Sequence, residues 1–237
     1  MIGLGTIINV VAIIIGGLLG KVCGGFLSKR YQETLNMACG ISVLFLGIAG
    51  ALEGMLTVEG TAVVSGQSML IVLSLVLGAL IGELINLEDK FERFGEWLKR
   101  KTGNEKEANF VDAFVTASLT VCIGAMAIVG AIQDGIFGDY SILATKAVLD
   151  LIIILVMTGA LGKGCAFSAI PVAILQGTVT LLARFIKPIM TEPALANLSM
   201  VGSILIFCVG VNLVWGKKVR VANLLPAIVV AVVMAFV

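Results

Sequence analysis

The chain has 237 residues, 59% of them hydrophobic and 13% charged, with a formal net charge of +1. A soluble domain is about half apolar and about a quarter charged, so this composition leaves too little polar surface to coat a water-soluble body. Near-neutral charge gives no footprint for nucleic acid. The absence of histidine removes two-histidine zinc sites and any Ser-His-Asp hydrolase. The expected fold class is all-α: a single polytopic transmembrane helix bundle of seven or eight spans, with lipid as its main partner.

The first span is expected at about Ile2–Gly20. No positive n-region precedes it and no clear small-residue cleavage site follows, so it reads as a permanent helix rather than a secretory signal. Asn9 is a polar residue within it, and Gly16, Gly20 and Gly24 follow at intervals of four. The second span, about Asn36–Leu56, carries Gly50 and Gly54; the third, about Val63–Ile85, carries Gly78 and Gly82 and closes on Glu83. Four-residue spacing puts small residues on one helix face and lets backbones approach, so these glycines are assigned to helix packing.

The one long polar segment runs from 86 to 109. Leu87, Phe91, Phe94 and Leu98 form a single stripe, Glu88 and Asp89 lead, and Lys99, Arg100 and Lys101 close. That order suits the helix dipole and predicts an amphipathic helix on the cytoplasmic membrane surface. The fourth span, about Phe110–Ile132, opens with Asp112 and ends at the turn Gln133-Asp134-Gly135.

The fifth and sixth spans, about Ser141–Gly162 and Cys165–Ile186, are nearly fused, which leaves seven spans open beside eight. The fifth contains Lys146 and Asp150, one turn apart on one helix face. Asp150 falls about 14 Å into the helix, near the bilayer midplane. Ionisable groups there are expensive and face a bundle interior or water. The pair reads either as a structural ion pair or as a site for a substrate, ion or proton. Gln176 lies mid-span in the sixth, Asn212 near the end of the seventh (about Asn197–Trp215), and the eighth is about Val221–Val237. Pro171 and Pro226 sit near the starts of spans six and eight or kink them.

Charge placement sets an expected orientation. Lys21, Lys29 and Arg30 follow span one, and Lys90, Arg93, Lys99, Arg100, Lys101 and Lys106 follow span three. Lys163 follows span five, and Lys217, Lys218 and Arg220 follow span seven. The opposite side has only Arg184, Lys187 and, just inside a span, Lys146. The positive-inside rule then places both termini outside the cytoplasm of a bacterial inner membrane.

Weak internal echoes link spans one and two with three and four, and spans five and six with seven and eight. The five cysteines, Cys23, Cys39, Cys122, Cys165 and Cys208, lack metal or disulfide spacing. No metal, cofactor or catalytic set is expected.

Several segments carry a resemblance. They are Gly5-Thr6-Ile7-Ile8-Asn9 through Gly16-Gly17-Leu18-Leu19-Gly20, Leu77-Gly78-Ala79-Leu80-Ile81-Gly82-Glu83, and Gly130-Ala131-Ile132-Gln133-Asp134-Gly135. Later come Asp139-Tyr140-Ser141-Ile142-Leu143 through Lys146-Ala147-Val148-Leu149-Asp150, and Asn223-Leu224-Leu225-Pro226-Ala227. In order and spacing, over essentially the whole chain, this resembles the bacterial membrane-protein family typified by YqgA and YdfK, a domain of unknown function. The resemblance implies a helical membrane fold and supplies no site residues.

Two functions are carried forward. One is a transporter or channel for an ion or small solute, using Asp150 with Lys146, Asn9, Gln176 and Asn212, and with Asp112, Gln133 and Asp134 as further polar groups. The other is a non-transporting scaffold or regulator that docks a partner through the 86–101 helix. Glycine-rich faces suit a homo-oligomer as well as contacts within one chain.

Overall fold

The computed structural model describes residues 2–26 and 28–236. Val237, expected to end the last span, and the side chains of Lys29 and Glu59 lie outside the described residues. Helices α1 (Leu4–Phe26) and α2 (Lys29–Met55) are followed by a hairpin of β1 (Leu56–Glu59) and β2 (Ala62–Ser65). Then come α3 (Ser68–Ile85), α4 (Leu87–Lys101), α5 (Phe110–Cys122), α6 (Ala125–Phe137) and α7 (Ser141–Leu161). A 3-10 segment, Lys163–Ser168, leads into α8 (Ala169–Leu181) and the short α9 (Ala183–Ile186). The chain closes with α10 (Glu192–Trp215), the single turn α11 (Val221–Leu224) and α12 (Pro226–Val233).

Among the described residues, six segments are long and apolar enough to cross a bilayer, or seven if the bent pair α5–α6 counts as one span. Val221–Phe236 is apolar but shorter. Spans five and six are separate, divided at Gly162, whose φ of 107° ends α7. Pro171 falls in the first turn of α8 and Pro226 opens α12, positions where no amide hydrogen is needed.

Two expectations are corrected. The third span begins at Ser68 rather than near Val63, because Val63 and Val64 pair in β2 with Val58 and Thr57. The hairpin turns on Gly60 and Thr61. Gly60 has a φ of 65° at the first turn position, which a two-residue hairpin assigns to glycine. The fourth span is not one straight helix: α5 and α6 meet at 61°, with Gly124 at a φ of 146° between them.

The bent pair nonetheless traverses the bundle. At its start, Phe110 and Ala113 lie against Gly164 and Cys165, just beyond the end of α7. At its far end, Asp134 lies against Gly3 and Gly5, at the beginning of α1. The partners of Gly16, Gly20 and Gly24 are Leu151, Leu155 and Gly159, so α1 and α7 run parallel and in step. The two ends of α5–α6 therefore stand at opposite ends of this helix pair.

Two compact units divide the chain. Unit 1 takes the described residues of Met1–Cys39, Lys90–Cys122 and Met126–Pro188; unit 2 takes Gly40–Asp89, Ile123–Ala125 and Ile189–Val237 in the same sense. Glycine contacts organise both. In unit 1, a Cβ on Gly16 would stand 2.5 Å from the Leu151 carbonyl oxygen, and Gly20 sits as tightly on the Leu155 carbonyl. In unit 2, Gly50 and Gly54 of α2 meet Ser203 and Met200 of α10, while Gly78 and Gly82 of α3 meet Ala227 and the Asn223 carbonyl. All seven glycines read from the sequence spacing thus lie at helix contacts.

The polar 86–109 segment forms α4, with the acidic first turn and basic last turn expected. Its stripe is used within unit 1: Leu98 is buried, the Phe94 ring lies 5.8 Å from that of Phe114, and Gly95 sits against Phe114 and Val111.

Candidate functional site

Three helices of unit 1 bring polar side chains into its interior. On α7, the Lys146 ammonium donates to both carboxylate oxygens of Asp150 at 2.7 Å. The two residues are 7% and 3% exposed. One helical turn sets this geometry, since residues i and i+4 stack on the same face. On α1, Asn9 is fully buried and stands beside the Asp150 carboxylate. Its amide donates to the Gln176 Oε1 on α8 at 3.3 Å. Cys122, the last residue of α5, lies within electrostatic reach of both Lys146 and Asp150.

A second rung lies one turn from the first. Thr6 and Thr180 meet hydroxyl to hydroxyl at 3.3 Å. Thr6 precedes Asn9 by three residues on α1 and Thr180 follows Gln176 by four on α8, so antiparallel helices align the pairs. Beyond that rung, the buried Asp134 accepts the Gly3 and Gly5 amides, at 3.2 and 3.0 Å. Those amides belong to the unsatisfied first turn of α1, where a carboxylate also suits the dipole. Asp134 is therefore a cap supplied by a distant helix. Polar groups run in file from the beginning of α1 to the ion pair; past the pair, Ile154 and Met157 of α7 are fully buried and apolar, followed by the buried hydroxyls of Thr158 and Ser168.

The hydrogen-bond inventory of the first rung is incomplete. Asn9 Oδ1 and Gln176 Nε2 are buried and have no partner. Exchanging oxygen and nitrogen on both amides would turn the Asn9 oxygen onto the Asp150 carboxylate, so the free groups are the Asn9 acceptor and the Gln176 donor. Buried polar groups are ordinarily satisfied, and an exception invites a functional explanation.

The other sequence candidates stand elsewhere. Asn212 is in unit 2, where Oδ1 accepts the Lys218 and Val219 amides and Nδ2 donates to the Val219 carbonyl, closing the loop after α10. Asp112 is exposed in the first turn of α5, and Gln133 is half-buried on α6. Asp139, exposed before α7, accepts the Ser141 backbone amide, which holds its carboxyl below the ordinary value of 3.8. Among the described residues, no three Cys, Asp or Glu side chains gather as a metal would require.

Sequence reasoning passed over one buried carboxylate. Glu88, in the first turn of α4, is 6% exposed. It pairs with Lys217 at 3.0 Å, accepts the Ala222 amide, and its own amide donates to Asn223 Oδ1 at 2.7 Å. An acidic residue in a first helical turn reads as dipole compensation, and nothing nearby in sequence announces partners more than a hundred residues away. Thr6 and Thr180 were legible only as an antiparallel match to Asn9 and Gln176.

These features define a class: a multi-pass helical membrane protein, close-packed through glycine, with a charge pair and two amides inside one of its units. The chain belongs to the family described as protein of unknown function (DUF554), whose model matches residues 4–236. The uncharacterized membrane protein YdfK of Bacillus subtilis (strain 168) is similar to it, 30% identical over 233 residues, covering 98% of this chain and 96% of its own length. The uncharacterized protein YqgA of Escherichia coli (strain K12) is 29% identical over 235 residues, covering 96% and 94%. No solved structure matches the chain.

Proposed function

We propose that the protein moves a small solute or ion across a bacterial inner membrane, with Lys146, Asp150, Asn9 and Gln176 as its binding groups. The observation that carries this reading is the unspent acceptor and donor of Asn9 and Gln176 beside a buried charge pair. An ion pair kept only for packing has no need of two further buried amides left half-satisfied, because each unmade bond lowers stability. The discontinuity between α5 and α6 supports the same reading, since broken helices in lipid line polar paths.

The lysine and arginine bias supports an orientation in which α1 begins outside the cytoplasm, so the Asp134, Thr6 and Thr180 file leads inward from that face. The reading assigns no catalysis and no cofactor, and the bilayer is the protein's principal partner. The alternative, a scaffold docking through the 86–101 helix, has less to use: Phe94 and Leu98 are engaged within unit 1, leaving the charged face and the exposed Trp97.

Reconstituted vesicles test the proposal. The charge-balanced double variant K146Q/D150N avoids leaving a lone buried charge and should remain folded while flux disappears. Equal flux in wild-type and double-variant vesicles would overturn the site; loss of a pull-down partner on deleting 86–101, with no flux in any vesicle, would favour the scaffold.

A further inference from the structure

The interior site of unit 1 is charge-balanced. Lys146 and Asp150 cancel one another, Asp134 is offset by the first turn of α1, and the remaining polar groups of the file are neutral amides and hydroxyls. A solute bearing a single net charge would leave that charge unbalanced in a buried, low-dielectric setting, where the penalty is steep. A solute with both signs would not. Its ammonium can replace Lys146 as the partner of Asp150, and its carboxylate can replace Asp150 as the partner of Lys146. The free acceptor of one amide then takes an ammonium hydrogen, and the free donor of the other reaches a carboxylate oxygen. Each group of the site is used once, with none left over.

Resting on the transport reading, we infer that the transported solute is a small zwitterion of the α-amino-acid type, bound between Lys146 and Asp150 with Asn9 and Gln176 as its flanking partners. Binding exchanges an intrahelical ion pair for two intermolecular ones, so the empty and loaded site carry the same net charge. Transport of the zwitterion alone therefore moves no charge.

The experiment uses the full-length protein in vesicles. Radiolabelled glycine, alanine, serine and betaine are supplied singly, with rubidium and chloride as single-charge comparators, each with and without an imposed potassium diffusion potential. The expected result is uptake of at least one zwitterion that the potential does not alter, with no uptake of rubidium or chloride. K146Q/D150N abolishes that uptake. A second variant, N9L/Q176L, keeps the ion pair and removes two hydrogen bonds to charged groups of the solute, which lowers uptake by about a hundredfold or more. Uptake of rubidium or chloride without any zwitterion, or zwitterion uptake driven by the potential, overturns this inference and leaves the transport reading standing. No uptake of any probe overturns both.

Discussion

In unit 1 the glycines of α1 rest on the backbone of α7; in unit 2 those of α3 rest on α11 and α12. The contact chemistry is the same, but the partner helices run parallel in the first case and antiparallel in the second, where Gly78 meets Ala227 and Gly82 meets Asn223. The later hairpins also correspond. Gly162, with a φ of 107°, precedes Lys163, which pairs with Glu107; Gly216, with a φ of 78°, precedes Lys217, which pairs with Glu88. Pro171 and Pro226 then open the returning helices. What differs is the interior. Among the described residues, unit 1 buries both members of a charge pair between polar rungs, whereas in unit 2 the buried Glu88 pairs with the half-exposed Lys217 and accepts the Ala222 amide, and further contacts join Ser74 to Met234 and Asn197 to the Ala231 carbonyl. Packing devices are shared between the units, and so is a buried carboxylate with a lysine partner; unit 1 adds a pair with both members buried, beside two amides.

The two units should differ most at the ion pair. Asp150→Asn alone leaves the Lys146 charge buried and unpaired, and it should lower stability by about 3–5 kcal/mol. Thermal unfolding in detergent should show a large fall that K146Q/D150N mostly restores. If D150N and the double variant unfold alike, the pair is not the charge-balanced unit described.

Next in size, Gly20→Ala and Gly82→Ala each drive a Cβ into a backbone carbonyl and should lose about 1–3 kcal/mol, as overpacked sites do. Equal losses sharpen the view that both units use one packing device; tolerance at either position would separate them. Asp134→Asn, by weakening the cap of α1, should lose about 1 kcal/mol and increase hydrogen exchange at Gly3 and Gly5 without changing exchange in unit 2. Smallest is the effect of Asp139. Its folded-state carboxyl is held below 3.8 by the Ser141 amide, so its contribution is present above 3.8 and lost as the pH falls through the lower folded value. Asp139→Asn should lower stability slightly at neutral pH and leave it unchanged below the folded value, which flattens the acid limb of the stability profile.

Much of this was legible in the amino-acid order. Glycines four apart mark helix faces whoever their partners are, and Lys146 and Asp150 meet because one turn of helix requires it. Asn9 and Gln176 stood out as amides in apolar runs, but their pairing depends on which helices are neighbours, and sequence spacing carries no such information. Asp134 and Glu88 were opaque for a related reason: their partners include backbone amides of residues far along the chain, and an amide has no residue type to read. The break at Gly124 was hidden because residues 113–132 contain no charge and no proline, and glycine is common in membrane helices.

That break also bears on how the protein enters the membrane. Each half of the bent span, α5 and α6, has 13 residues, about 20 Å of helix against a hydrocarbon layer of about 30 Å. Neither half can be held across lipid alone, and the unwound backbone between them needs protein around it. Release of this span from the insertion machinery must therefore wait for the helices synthesised after it. A nascent chain halted just past Phe137 should remain accessible to chaperones and proteases, and one halted beyond α8 should not.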